Sequence, residues 1–175
     1  MSSDPVASIL QDPRFQGQPI TWNVTTEQYD TIRHAWLTHV VAEEKLFGPY
    51  TQQQWDEQLA IMLGVFAEDC VMELVPSGER WQGKAQTEAF YRGFIASFEG
   101  MQWVPQALVI GPQGVLDVVN MTGILRRPLA GLTELGQQVH FQWMIYFPWL
   151  PAEARFRGET IYAIRPLTVA EGGTA

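Results

Sequence analysis

Two side chains that lie in apolar runs have the chemistry to move protons. His140 occurs in QQVHFQWMIYF, which contains no acidic residue, and Glu73 occurs in CVMELV. The unperturbed pKa of histidine suits a general acid or base near neutral pH, provided that His140 faces a pocket. Burial of Glu73 among apolar neighbours would raise its proton affinity, which tunes a carboxyl group for the same role. The alternatives are a histidine on an outer or dimer face and a solvent-facing glutamate on an alternating strand.

Two further titratable residues are candidates for the same site. His39 falls near the apolar stripe of a predicted helix, and Glu43 follows at i+4, a spacing that can hold a metal. No third ligand is evident nearby, so we expect no metal, and a core histidine bonded to a backbone carbonyl is the alternative for His39. Asp117, in VLDVVNM, either faces the pocket opposite His140 or interrupts an aggregation-prone apolar run.

The wall of the predicted pocket comes from aromatic residues and from one strand face. Alternation puts His140, Gln142, Met144 and Tyr146 on one face of their strand, but it does not say which face looks inward. Seven tryptophans in 175 residues exceed what core stability needs, which indicates a cavity for a flat or long apolar ligand. The residues expected to contact this ligand are Trp36, Phe90, Phe94, Trp103, Gln142, Met144 and Tyr146.

Helices come before strands along the chain. Thr25 and Gln28 have capping-box spacing before a helical stripe, Thr51 can cap a second helix, and a third helix begins near Lys84. Strands are expected at 70–75, 102–110, 115–125, 137–147 and 155–164. This order predicts an α+β fold in which about three helices pack on a strongly curved, mostly antiparallel sheet that encloses an apolar pocket.

The chain divides into one domain and two short ends. The predicted domain spans residues 25–166, an extended arm rich in Pro, Gln, Asp and Ser spans 1–24, and a flexible tail spans 167–175. No internal repeat and no second domain are visible in the sequence.

Composition restricts the partners. The formal net charge is −8, and no basic cluster exceeds Arg126-Arg127, so neither nucleic acid nor an anionic membrane surface is an expected partner. A single cysteine, Cys70, forbids an internal disulfide. The N-terminus lacks the pattern of a secretory signal, so we expect the protein in the cytoplasm.

Three stretches resemble a known superfamily. They are Phe66-Ala-Glu-Asp-Cys-Val-Met-Glu73, the pair of Trp81-Gln-Gly83 and Glu88-Ala-Phe-Tyr91, and the C-terminal strand hairpin that contains Arg157-Gly-Glu-Thr-Ile-Tyr162. Together they resemble the nuclear-transport-factor-2-like cone fold. Gly123, Pro128-Leu-Ala-Gly-Leu132 and Gly136-Gln-Gln-Val139 make the C-terminal half similar to the SnoaL-like polyketide cyclase group.

This resemblance implies acid/base catalysis without a cofactor, in an apolar pocket. The group's aspartate in the penultimate strand is absent here, and so is the aspartate that steroid-isomerase-like members would carry near Leu74. Glu159 sits where the group usually has a glutamate that braces or lines the pocket. From there Glu159 either pairs with His140 across the hairpin or forms a surface ion pair with Arg155 or Arg157.

Three functional hypotheses follow. The leading one is a cofactor-free cyclase, isomerase or dehydratase acting on an apolar, polyketide- or terpenoid-like carbonyl compound. Its acid/base residues would be His140 and Glu73, supported by Glu159, Asp117 and His39. The second is a non-catalytic binding protein for a hydrophobic small molecule. The third is an assembly module that forms a homodimer through its sheet face.

Overall fold

The structure, a computed structural model, describes residues 25–129 and 132–167. The predicted arm over 1–24 lies outside these residues, as does the predicted tail apart from Leu167. The domain boundaries therefore stay predictions. Within the described ranges, no helix is both long and apolar enough to cross a membrane.

Three helices occur between residues 25 and 97 of the described part of the chain. Helix α1 spans Thr26–Leu46 and helix α2 spans Gln52–Gly64. Each begins at a capping box made by a threonine and a glutamine. The threonine hydroxyl accepts a hydrogen bond from the glutamine backbone N–H, and the glutamine side-chain oxygen accepts one from the threonine backbone N–H. Helix α3 spans Lys84–Ala96. It follows Gly83, which has a φ of 78° and, lacking a side chain, provides no side-chain cap. The helices are held mainly by their buried faces, since short helices have little stability of their own.

The described residues form six strands of one sheet, with the order β2-β1-β6-β5-β4-β3. Their bounds are Phe66–Leu74 for β1, Glu79–Gln82 for β2, Phe98–Gly111 for β3, Gly114–Leu125 for β4, Gln138–Leu150 for β5 and Arg155–Pro166 for β6. Only the β1–β6 pair is parallel, and the other pairs are antiparallel. The predicted α+β cone is confirmed. The sequence interpretation missed β2, whose residues it assigned to a turn and to the start of the third helix.

The two faces of the sheet differ in burial. Along β4 and β5 buried and half-buried residues alternate, so that Val115 to Leu125 and Phe141 to Phe147 each place every second side chain inward. The inner face packs on the three helices and holds the core, which includes Phe66, Phe141 and Phe156. The opposite face, called the outer face below, carries no helix among the described residues. The inner face is therefore the one on which a pocket can form.

Candidate active site

A cavity of about 300 Å³ lies between helices α1 and α3 and the inner face of the sheet. That volume is at the lower end of the range typical for small-molecule sites. Its wall is mainly aromatic and aliphatic, and it also carries four carboxyl groups. The lining residues are Trp36, Val40, Glu43, Glu44, Phe90, Tyr91, Phe94, Trp103, Pro105, Asp117, Val119, Trp143, Ile145, Phe147 and Glu159.

Helix α1 supplies one side of the cavity. Trp36, Val40, Glu43 and Glu44 follow the three- and four-residue spacing that puts side chains on one helical face. His39 belongs to the same side of the helix, is only 1% exposed and lies behind the cavity wall. The helix takes this orientation because its buried stripe, which includes Ile32, Trp36 and His39, packs toward the sheet.

The sheet supplies the facing carboxyl groups. Asp117 pairs with Ile145 across β4 and β5, and it is 6% exposed. Glu159 pairs with Met72 across the parallel β1–β6 contact, and it is 4% exposed. Both strands turn these acids inward because each acid occupies an inward position in the alternation.

Glu159 is the centre of a buried polar cluster. Its Oε1 lies 3.0 Å from Nε2 of His39 and accepts a hydrogen bond from the Tyr91 hydroxyl. Glu43 Oε2 lies 3.6 Å from the same His39 nitrogen. The His39 ring is enclosed by the edges of aromatic rings, with centroid distances of 5.2 Å to Phe66 and 5.4 Å to Phe147.

The charge of His39 follows from this cluster. Burial by itself would lower its pKa, but the carboxylate of Glu159, assisted by that of Glu43, outweighs burial and raises the pKa to about 10. His39 is therefore an imidazolium at neutral pH and has no proton-accepting nitrogen. Its role is to neutralise and orient Glu159 rather than to act as a general base.

Asp117 is a carboxyl group of the cavity wall that lacks a partner among the described residues. Its Oδ1 is buried without a hydrogen bond to any described residue. Burial, and to a lesser extent the charges of Glu159 and Glu43, raise its pKa to about 6. An acid that titrates near neutral pH can both take up and release a proton there.

Burial also acts on the remaining titratable groups of the wall. It raises the pKa of Glu43, against the opposing effect of His39. Burial raises the pKa of the Tyr91 hydroxyl well above its usual value, and the charge of Glu159 adds to this, so Tyr91 stays a hydrogen-bond donor. The site thus combines a fixed ion pair with one unpaired carboxyl group.

Three of the five predicted acid/base residues come together here. Asp117 and Glu159 line the cavity, and His39 contacts Glu159 from behind. His140 and Glu73 are not part of this site. His140 is half-buried on the outer face of β5, opposite Thr122, and Glu73 is half-buried on β1 between Arg80 and Thr160.

The expected contact between His140 and Glu159 does not form, for a reason of register. Phe141 lies opposite Pro166, whereas Tyr146 lies opposite Thr160, so Glu159 is several residues along the hairpin from His140. The expected approach of Asp117 to His140 fails in the same way, because Asp117 lies opposite Ile145. Side chains alternate along β5, and because Phe141 points inward, the neighbouring His140 points to the outer face.

The predicted ligand contacts divide in the same manner. Trp36, Phe90, Phe94 and Trp103 line the cavity. Gln142, Met144 and Tyr146 lie on the outer face, where the Gln142 amide donates to Asn120 Oδ1 at 2.9 Å and the Tyr146 hydroxyl donates to the Gln113 carbonyl at 2.8 Å. The inward residues of β5 are instead Trp143, Ile145 and Phe147.

Sequence reasoning overlooked Tyr91 as a partner of Glu159, and it considered Glu43 only as a metal ligand. A usable signal was present on β5, where one face is wholly apolar and the other mixes His, Gln, Met and Tyr. The wholly apolar face is the one that a core buries. As for a metal, no group of three His, Cys, Asp or Glu side chains able to hold one occurs in the described part of the chain.

The sequence of residues 50–165 matches the family model of the SnoaL-like domain, which covers more than half of the chain. The chain belongs to the SnoaL-like domain family. This confirms the resemblance drawn from the motifs. No curated protein matches the sequence significantly.

Solved structures of SnoaL-like and related proteins share the fold. A candidate SnoaL-like polyketide cyclase from Jannaschia sp. CCS1 superposes with a TM-score of 0.63 at 14% identity, over 80% of this chain and 90% of that one. AclR, a candidate hydroxylase from Streptomyces galilaeus, gives a TM-score of 0.55 at 15% identity, over 84% and 88%. A Mycobacterium tuberculosis protein in complex with estradiol-17β-hemisuccinate gives 0.53 at 12% identity, over 81% and 96%. At these identities the similarity shows the fold alone.

Proposed function

We propose that this SnoaL-like protein is an acid/base enzyme that transfers a proton on an apolar carbonyl compound. The observation that carries the proposal is the Asp117 carboxyl group, which lines an aromatic cavity, lacks a hydrogen-bond partner and has its pKa raised to about 6. Groups with shifted pKa values in a cavity are typical of catalytic sites. The assignment of the base differs from the sequence prediction, which favoured His140 and Glu73.

The residues have distinct roles in this proposal. The Asp117 carboxylate removes a proton from the carbon next to the carbonyl group, and the aromatic wall keeps water from competing. The pair of His39 and Glu159, with Tyr91, holds the neighbouring part of the wall in a fixed charge state. Return of the proton at another carbon gives an isomer, attack of the carbanion on a second carbonyl gives a ring, and loss of water gives a dehydrated product.

Two features support an apolar carbonyl compound as the substrate of this cavity. Three tryptophans of the cavity wall have indole N–H groups that are buried without an acceptor in the described residues, namely Trp36, Trp103 and Trp143. A ligand oxygen reaching one of these groups would supply the missing acceptor. The estradiol-17β-hemisuccinate bound by the Mycobacterium tuberculosis protein has an apolar polycyclic steroid body that carries a carboxylate, and this body supports a polyketide- or terpenoid-like substrate here.

The first test measures proton transfer without knowledge of the natural substrate. A panel of apolar cyclic and aromatic ketones is incubated with the protein in D₂O, and deuterium uptake next to the carbonyl is followed by NMR. We expect catalysed uptake for some members and a loss of about 100-fold or more in Asp117→Asn. The matched control Glu73→Gln, which removes a carboxyl group outside the cavity, keeps the wild-type rate.

The same panel separates the enzyme from a binding protein. Ketones that bind in the cavity, as seen by quenching of tryptophan fluorescence, but never exchange would contradict the acid/base proposal. They would support the alternative, a non-catalytic binder of hydrophobic molecules. Equal exchange rates in the wild type and in Asp117→Asn would remove Asp117 from the mechanism.

We also propose that two copies of the chain pair through the outer face of the sheet. Val104, Val109 and Tyr162 on that face are 46%, 59% and 47% exposed. Leu116, Val118 and Met144 lie on the same face and are half-buried. The exposed apolar side chains on this face, interspersed with polar ones, favour a second copy with the same surface. The cytoplasmic location stays a prediction from the sequence.

A further inference from the structure

The wall of the cavity carries more negative than positive charge. Four of its described residues are acids, Glu43, Glu44, Asp117 and Glu159, and none of the described lining residues is Lys, Arg or His. His39 lies behind the wall and is already 3.0 Å from Glu159. One imidazolium cannot neutralise both Glu159 and Glu43, and among the described residues its ion pairs are with these two glutamates and not with Asp117.

Asp117 adds an independent sign of a missing partner. Only 6% of Asp117 is exposed, and the residue lines the cavity. Its Oδ1 has no hydrogen bond to a described residue. A buried carboxyl group without a partner is costly, so the site retains protons in place of a cation. Burial is the largest cause that raises the pKa of both Asp117 and Glu43, and at Glu43 the contact with His39 opposes it.

The remaining wall suits a cation with an apolar body. Trp36, Trp103 and Trp143, together with Phe90 and Phe94, present aromatic surface to the cavity. Tryptophan faces attract ammonium groups, most strongly where water is excluded. Trp36 and Glu43 share the cavity face of α1, so a group that contacts one helical face can meet both an indole ring and a carboxyl group.

We propose that the ligand of this cavity carries a protonated amine on its apolar body, and that Glu43 is the residue that selects for it. The proposal rests on the proposed function, because it describes the substrate of the same site. The ammonium group lies against Glu43 and Trp36 on the α1 side, and the reacting carbon faces Asp117 on the sheet side. Ligands with a carboxylate or phosphate at the α1 side are rejected, since Glu43 and Glu44 repel them and none of the described lining residues is a cation.

A ladder of three matched probes tests the selection. The probes are 3-phenylpropylamine, 3-phenylpropanol and 3-phenylpropanoate, which share a body and differ in charge. Binding is measured at pH 7.5 by tryptophan fluorescence and by the indole N–H signals in NMR spectra. We expect the amine to bind about tenfold more tightly than the alcohol, and the carboxylate to bind more weakly than both.

Two variants of equal charge change locate the selection. Glu43→Gln should reduce the preference for the amine over the alcohol about tenfold and leave the affinity for the alcohol unchanged. Glu57→Gln, at an exposed position on α2, removes the same charge from the surface and should leave the preference intact. This control separates selection in the cavity from general attraction of a cation to an acidic protein.

Several results would overturn the proposal. These are equal affinity for the amine and the alcohol, tighter binding of the carboxylate, no binding of the amine at millimolar concentration, or an unchanged preference in Glu43→Gln. The comparison of the three probes on the wild-type protein does not depend on the folding of any variant. Failure here is distinguishable from failure of the proposed function, because deuterium exchange on neutral ketones depends on Asp117 and needs no amine.

Discussion

His39 and Asp117 show how contacts decide the chemistry of a buried titratable side chain. Both residues are nearly fully buried, yet His39 lies 3.0 Å from Glu159, and Asp117 has no partner among the described residues. The ion pair commits His39 to its charged form at neutral pH. The pKa of Asp117 is raised to about 6, so it can take up and release a proton near neutral pH and is the stronger candidate for catalysis.

The raised pKa of Asp117 predicts a pH-dependent cost in stability. In the folded state the pKa is about 6, compared with 3.8 for the free side chain, so stability falls as the pH rises between these values. Asp117→Asn removes the charge at the same size. Its gain in free energy of unfolding should therefore be about 2 kcal/mol larger at pH 7.5 than at pH 4.5.

Urea denaturation at the two pH values measures this difference. Asp69→Asn serves as the control, because Asp69 is an exposed aspartate on β1. A gain for Asp117→Asn that does not change with pH would show that the Asp117 carboxyl group titrates as an ordinary exposed acid.

At the scale of the elements, the order and type of the strands and helices follow from the sequence, but the inward faces of the strands do not. Capping boxes at Thr25 and Thr51 locate two helix starts, because both partners of each box are local. The placement of His140 depends instead on the parity of β5 and on its pairing with β6, which involve residues far apart in sequence. Glu159 was found through family resemblance, and Tyr91 became its partner only through tertiary packing.

The parallel contact between β1 and β6 positions Glu159 and depends on one glycine. Gly158 has a φ of 133°, and a Cβ added there would lie 1.9 Å from the Val71 carbonyl oxygen. Backbone would have to move to admit any side chain. We expect Gly158→Ala to lower the free energy of unfolding by about 3 kcal/mol or more, measured by urea denaturation.

Gly64→Ala is the matched control for this glycine. Gly64 ends helix α2, and a Cβ there meets no atom within 4 Å. Alanine at that site should be neutral or slightly stabilising, by up to about 1 kcal/mol. Equal stability of Gly158→Ala and the wild type would mean that the two strands do not approach as closely as described.

At the scale of the whole molecule, one sheet serves two purposes. Its inner face carries the cavity acids, and its outer face carries the apolar strip around Val104 and Val109. Alternation in the sequence distinguished two faces of β5 but left open which one looks inward, and the structure places His140 and Tyr146 on the outer face. The sheet separates the cavity from the proposed dimer interface, so loss of pairing need not abolish ligand binding.

The outer face predicts a dimer that a single charge can disrupt. Sedimentation at tens of micromolar should give about twice the 19.8 kDa mass of the chain. Val109→Lys should shift the protein toward the monomer, whereas Ile61→Lys, at another exposed apolar position, on α2, should not. A monomeric wild type at this concentration would exclude the proposed pairing.

The pH dependence of deuterium exchange tests the central role of Asp117 most directly. The ketone that exchanges fastest is followed from pH 4.5 to 8 with the wild type, Asp117→Asn and Glu73→Gln. We predict that the wild-type rate rises with an inflection near pH 6 and then levels off, that Glu73→Gln reproduces this curve, and that Asp117→Asn loses both the rate and the inflection. An inflection that persists in Asp117→Asn, or that disappears in Glu73→Gln, would contradict the assignment of Asp117 as the proton-transferring group.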